Sequence, residues 1–129
     1  MRFSHLTLAS MLLGVIVACA ATTTGGGDNP NVLTYEELQS VTSSNSAYEA
    51  IRLVRPQWLR SRGVSSFSGE ADPIVVYVDN VRYGEAEALQ SMSLPTVESI
   101  ERIDATSATQ RWGTGHAGGV LAVTTRRGG

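Results

Sequence analysis

The feature that most constrains this chain is the run Ile74-Val75-Val76-Tyr77-Val78, followed at once by Asp79-Asn80 and then Val81-Arg82-Tyr83. Five consecutive β-formers place apolar groups on both faces of a strand, which only a central strand covered on both sides can bury. Asp and Asn tolerate positive φ, so Asp79-Asn80 reads as a two-residue hairpin turn with Val81–Tyr83 as the returning arm, ended by Gly84. A second two-faced run, 120–125, lies near the end of the sequence. A chain of 129 residues with two such strands is a single layered domain.

Helical signals separate the strands. Thr34 and Glu37 form a Thr-x-x-Glu capping box for a short helix running toward Val41, and Ser46 and Glu49 form a second. After the second box Ala47, Ala50, Ile51 and Val54 fall on one helical face, until Pro56 stops the helix. Trp58 and Leu59 then fold back on the same core. The stretch 60–72 reads as a loop, and 85–92 as a helix with Ala86, Leu89 and Met92 inward. Pro95 starts a turn. A strand carries Ile103 and ends near Asp104, and Thr106 to Trp112 is a short helix or turn. The expected fold class is α+β, a small four-stranded mixed sheet with short helices packed on it.

The N-terminus carries an address. Arg2 precedes a thirteen-residue apolar core, Leu6 to Ala18, too short to span a bilayer comfortably and shaped like an export signal. Ile16-Val17-Ala18-Cys19 resembles the bacterial lipobox, which implies lipidation of Cys19 and cleavage before it. The residue after it, Ala20, is not the Asp that holds many such proteins in the inner membrane, so the resemblance points to the periplasmic face of the outer membrane. The same residues also fit an ordinary signal cut after Ala20, leaving a soluble periplasmic protein. The expected organisation is residues 1–18 signal, 19–31 lipid-anchored flexible tether rich in Thr and Gly, and 32–129 folded domain.

Several patterns that carry chemistry elsewhere lack their context here. Ten arginines and no lysine stand against twelve acids, a net charge of −2, which is no nucleic-acid surface. Gly113-Thr114-Gly115-His116-Ala117-Gly118 spells G-x-G-x-x-G, but a helical stretch precedes it and a strand comes after, the reverse of the dinucleotide order. It reads as a tight loop. His116 has no cysteine or second mature histidine to share a metal and no nucleophile elbow, so no cofactor, metal or catalytic residue is expected. Glu98/Glu101 and Glu85/Glu87 read as solvated surface, and Arg52, Arg55, Arg60 and Arg62 form a basic stretch open to an acidic surface or lipid phosphate.

Taken in order, Val78-Asp79-Asn80-Val81, then Val97-Glu98-Ser99-Ile100-Glu101-Arg102-Ile103, Trp112-Gly113 through Gly119-Val120, and Thr124-Thr125-Arg126-Arg127-Gly128 resemble the plug domain of TonB-dependent outer-membrane receptors. The piece from Val32 through Ala50 resembles that family's opening strand and helix. Asn80 stands where the family's turn has Gly. The sequence stops where a receptor's barrel would begin, so the expectation is a plug-like, non-enzymatic binding module rather than a transporter. Its partners would be the membrane, through Cys19, and a protein of the cell envelope, which in the alternative reading is a β-barrel receptor served in trans. The expected partner surface is the Trp112–Gly119 loop, with Trp112, Gly113, Gly115 and His116, joined by Arg82 and Tyr83 of the hairpin arm.

Overall fold

A computed structural model of the chain describes residues 29–41, 43–61 and 71–127. The expected signal 1–18, Cys19, the tether as far as residue 28, Arg62 and most of the 60–72 loop lie outside the described residues. The elements run β1 (Val32–Thr34), α1 (Tyr35–Ser40), α2 (Ala47–Val54), a 3-10 turn (Pro56–Leu59), β2 (Val75–Val78) and β3 (Val81–Glu85). Then come two further 3-10 turns (Ala86–Ser91 and Leu94–Thr96), β4 (Val97–Ile103), α3 (Ala105–Trp112) and β5 (Val120–Thr125). The class is α+β, as expected. The sheet is mixed and has five strands in the order β1-β4-β5-β2-β3, with β2 and β5 parallel and the other neighbours antiparallel.

The fifth strand, β1, is absent from the residue patterns and implied only by the resemblance. Only three residues long, it is too short for alternation to show, and it exists because β4 pairs with it, Leu33 opposite Ile100. Thr34 closes it and caps α1. Its Oγ1 accepts the Glu37 amide at 3.4 Å, while the Glu37 carboxylate accepts the Thr34 amide at 3.1 Å. Ser46 caps α2 by accepting the Glu49 amide at 3.3 Å. Pro56 forces Arg55 out of the helical region, to φ −138°, and the chain turns so that Trp58 is buried.

The two-faced runs do occupy the middle of the sheet. β5 lies between β4 and β2, and β2 between β5 and β3. Val76, Leu121 and Val123 point into the larger core with Leu33, Ile51, Leu89 and Ile100, beneath α1, α2 and the 3-10 turns. Val75, Tyr77 and Val120 point the other way, into a smaller cluster with Ile103 and Ala108 of α3.

β4 buries Val97, Ile100 and Ile103, a three-residue period that no regular strand produces. A register shift between Val97 and Ser99 accounts for it. The extra residue turns Val97 to the same face as Ile100, and both join the larger core. Ile103, an odd step beyond, falls on the opposite face beneath α3.

The hairpin turn forms as expected, with Asp79 and Asn80 at φ 47° and 72°. Its second arm departs from expectation. β3 continues through Gly84 to Glu85, with a bulge that leaves Tyr83 unmatched: Arg82 pairs with Tyr77 and Gly84 with Val76. The expected 85–92 helix is a six-residue 3-10 turn, because β3 consumes Glu85 and no side chain caps the segment from Ala86 onward. Its inward residues are those expected: Ala86, Leu89 and Met92 are buried.

Candidate functional site

The Trp112–Gly119 loop is built from the end of α3. Asp104 starts that helix, its carboxylate accepting the Thr106 and Ser107 amides at 2.9 and 3.0 Å. The Ser107 amide, then its hydroxyl, hold the Asp104 carboxyl below its ordinary range. The helix ends at Gly113, whose φ of 89° and ψ of −166° belong to a region essentially reserved for glycine. The chain is thereby turned back toward β5.

That turn brings three rings together. Trp112, half-buried, stacks on Tyr77 with ring centroids 4.3 Å apart and planes 19° from parallel. Its indole Nε1 donates to the Asn80 side-chain oxygen at 3.3 Å, tying the loop to the hairpin turn. The Arg111 guanidinium lies 5.0 Å from the indole centroid. His116 is only 2% exposed. Its Nδ1 sits 2.8 Å from the Gly113 carbonyl, which can only accept, so Nδ1 carries the proton. Nε2, 3.0 Å from the Tyr77 hydroxyl, is then the acceptor of that hydroxyl's proton. Both nitrogens face inward, and His116 fastens the loop to β2.

The structure therefore brings Trp112, Gly113 and His116 into one cluster, with Gly115 at its exposed edge. Arg82, directly across from Tyr77, projects from the same sheet face as the Trp112 stack. Tyr83 does not join them. As the extra residue of the bulge it meets the Ser91 hydroxyl at 3.3 Å, on the side of the 3-10 turn Ala86–Ser91. The fingerprint-like glycines have a structural use: the backbone carbonyls of Asp72 and Pro73 occupy the place a Cβ on Gly118 would need. Tyr77, Asn80 and Arg111 belong to the cluster and do not stand out as site residues in the sequence. A lone aromatic in an otherwise aliphatic strand is the available signal for Tyr77.

Beside the cluster the sheet is open. α3 covers Val75, Tyr77, Val120 and Ile103, but not the neighbouring part of the same face. There a shallow cavity of about 540 Å³ has Ser99, Glu101, Ala122 and Thr124 as its floor, with Arg111, Trp112 and Arg127 at its border. One end of this surface is fixed by Asp79, whose carboxylate takes the Thr125 hydroxyl at 2.5 Å and the Thr125 amide at 3.0 Å. Those two bonds, the hydroxyl's first, hold the Asp79 carboxyl below its ordinary range. Among the described residues no group of three or more His, Cys, Asp or Glu is placed to hold a metal ion. Nor is any described helix long and apolar enough to cross a membrane.

Compared with known proteins, the chain matches no family model, no curated protein and no solved structure.

Proposed function

We propose that this chain is a non-enzymatic, plug-like binding lipoprotein, anchored through acylated Cys19 at the periplasmic face of the outer membrane, which holds a protein of the cell envelope on the sheet face left open beside α3. The observation that carries the reading is that open face itself. It is concave, floored by small and polar side chains, and bordered by an indole with Arg111 and Arg127, with Arg82 projecting from the same face. Aromatic and Arg side chains around a shallow floor are the composition of protein contact surfaces. His116 contributes by holding the loop, since neither nitrogen faces outward.

Two features support the plug-like part of the reading. The segments that carry the resemblance fall on the β2–β3 turn, β4, the end of α3 and β5, and they meet at one end of the sheet: Asn80 bonds Trp112, Asp79 bonds Thr125, and Val97 pairs with Thr125. The short β1 and α1 stand where the resembling family has its opening strand and helix.

Thr124 is exposed on the floor of the cavity, so a photo-crosslinking residue there samples the face without touching the core. Crosslinking in intact cells is expected to capture one envelope protein, and Arg82→Glu with Arg111→Glu should abolish the adduct. A β-barrel receptor as the captured partner would make the chain an accessory of transport acting in trans. Adducts indifferent to both substitutions would sink the proposal. The mass of the N-terminal peptide from the same sample reports whether Cys19 is acylated.

A further inference from the structure

The basic stretch around Trp58 is not used by the open face. It lies in the layer on the opposite side of the sheet, where α2 and the 3-10 turn Pro56–Leu59 pack over the larger core. α2 turns Ala47, Ala50 and Ile51 inward, which leaves Arg52 and Leu53 outward, and Leu53 is 56% exposed. Pro56, Gln57 and Arg60 are exposed as well, in and just after the 3-10 turn that packs against α2, at the corner where the chain leaves that helix. Arg55 is spoken for, 3.2 Å from the Glu37 carboxylate. The other acids of these helices are Glu36 on α1 and Glu49, one turn before Arg52 on α2.

The chain enters the domain beside the 3-10 turn, between it and the start of α3. Pro30 and Asn31 share a cavity wall with Gln57 and Trp58. The chain from Cys19 to Asn29 spans at most about 35 Å however it is arranged. An acyl group on Cys19 thus keeps the corner within a few tens of ångströms of the lipid. The anchor supplies the attachment, so the corner has only to select an orientation.

Resting on the lipoprotein reading above, we infer that Arg52, Leu53 and Arg60 form a lipid-docking corner that seats the domain on anionic phospholipid headgroups. Each arginine near an anionic surface favours the seated orientation about fivefold, and two together about 25-fold. Leu53 reaches into the interfacial region beside Arg52. Seated this way, the helical layer lies against the membrane, and the opposite face of the sheet, with Trp112, Arg82 and the open cavity, looks into the periplasm. The docking corner and the partner face then do not compete.

The test uses the acylated protein from cells, reconstituted in vesicles of phosphatidylcholine alone or of phosphatidylcholine with phosphatidylglycerol. Phenylglyoxal modifies accessible arginines, and mass spectrometry reads each site. In the anionic vesicles Arg52 and Arg60 should react at least about fivefold more slowly than in the neutral ones, while Arg82 and Arg111 react alike in both. High salt should remove the difference. Equal rates at Arg52 and Arg60 in the two lipids, with Cys19 acylated, would overturn the docking corner and leave the lipoprotein reading standing. An unmodified Cys19 would overturn both.

Discussion

His116 is the residue whose sequence neighbours promise most and whose surroundings decide otherwise. Set between glycines, it resembles a base waiting for a substrate; packed at 2% exposure against Tyr77, it is a fastening. Its value can be measured from the other side of the bond. Tyr77→Phe keeps the ring stack and strands Nε2 without a donor, at a cost of about 1–3 kcal/mol in chemical denaturation. If the Tyr77→Phe protein unfolds at the wild-type denaturant concentration, the bond carries no net stability. The glycines of the same loop divide by a similar contrast. At Gly118 a methyl group meets the Asp72 and Pro73 carbonyls, so Gly118→Ala should cost about 4 kcal/mol or fail to fold. At Gly113 the space is open and only φ is unfavourable, so Gly113→Ala should cost about 1–3 kcal/mol. Thermal melts giving the opposite order would show that the loop before β5 and the segment before β2 are not in close contact.

Elements are legible in the sequence where their causes are local. A capping box lies within four residues: Thr34 and Glu37 form theirs in full, while of the second only the Ser46 cap on the Glu49 amide forms. The Asp79-Asn80 turn needs only two residues that accept positive φ. The illegible features have causes elsewhere in the chain. β1 depends on β4 for its existence, and the three-residue period of β4 comes from a bulge fixed by its pairing with β5. The aromatic cluster is half legible: Trp112 and His116 stand out, but Tyr77 lies 35 residues before Trp112, and only the fold places the rings 4.3 Å apart. The β3 bulge is invisible for the same reason, and it matters because β3 is an edge strand with Val81 and Tyr83 exposed. A flat edge of that composition invites a second chain, and a bulge disrupts the ladder that would receive it. Deleting Tyr83 restores regular pairing of Arg82 and Gly84 with Tyr77 and Val76. The deletion variant should stay folded and associate more strongly than wild type with rising concentration in sedimentation velocity. A monomeric deletion variant would mean that the bulge has no part in keeping the edge unpaired.

At the scale of the whole molecule, segments far apart in the sequence meet at one carboxylate, on the neighbouring strands β2 and β5. Asp79 closes the β2–β3 turn and accepts two bonds from Thr125, 46 residues later and at the end of β5. Since those bonds favour the charged form, the folded-state pKa lies below the unfolded value near 3.8. Their stabilising contribution is fully present above the unfolded pKa and is lost as pH falls through the folded one, because the unfolded chain then binds the proton first. Asp104, lowered by its capping bonds to Ser107, acts in the same direction. Both sites are exposed, so solvent limits the size of each effect but not its sign. Asparagine suits both positions without the charge, since it tolerates positive φ at 79 and caps a helix at 104. Wild type should therefore lose stability between about pH 5 and about pH 3, measured by urea unfolding, and Asp79→Asn should lose less over that window. The double variant Asp79→Asn/Asp104→Asn should be flatter still. If all three proteins lose stability in parallel, acid acts through other carboxylates, and the Asp79–Thr125 link is not what couples the hairpin turn to the end of β5.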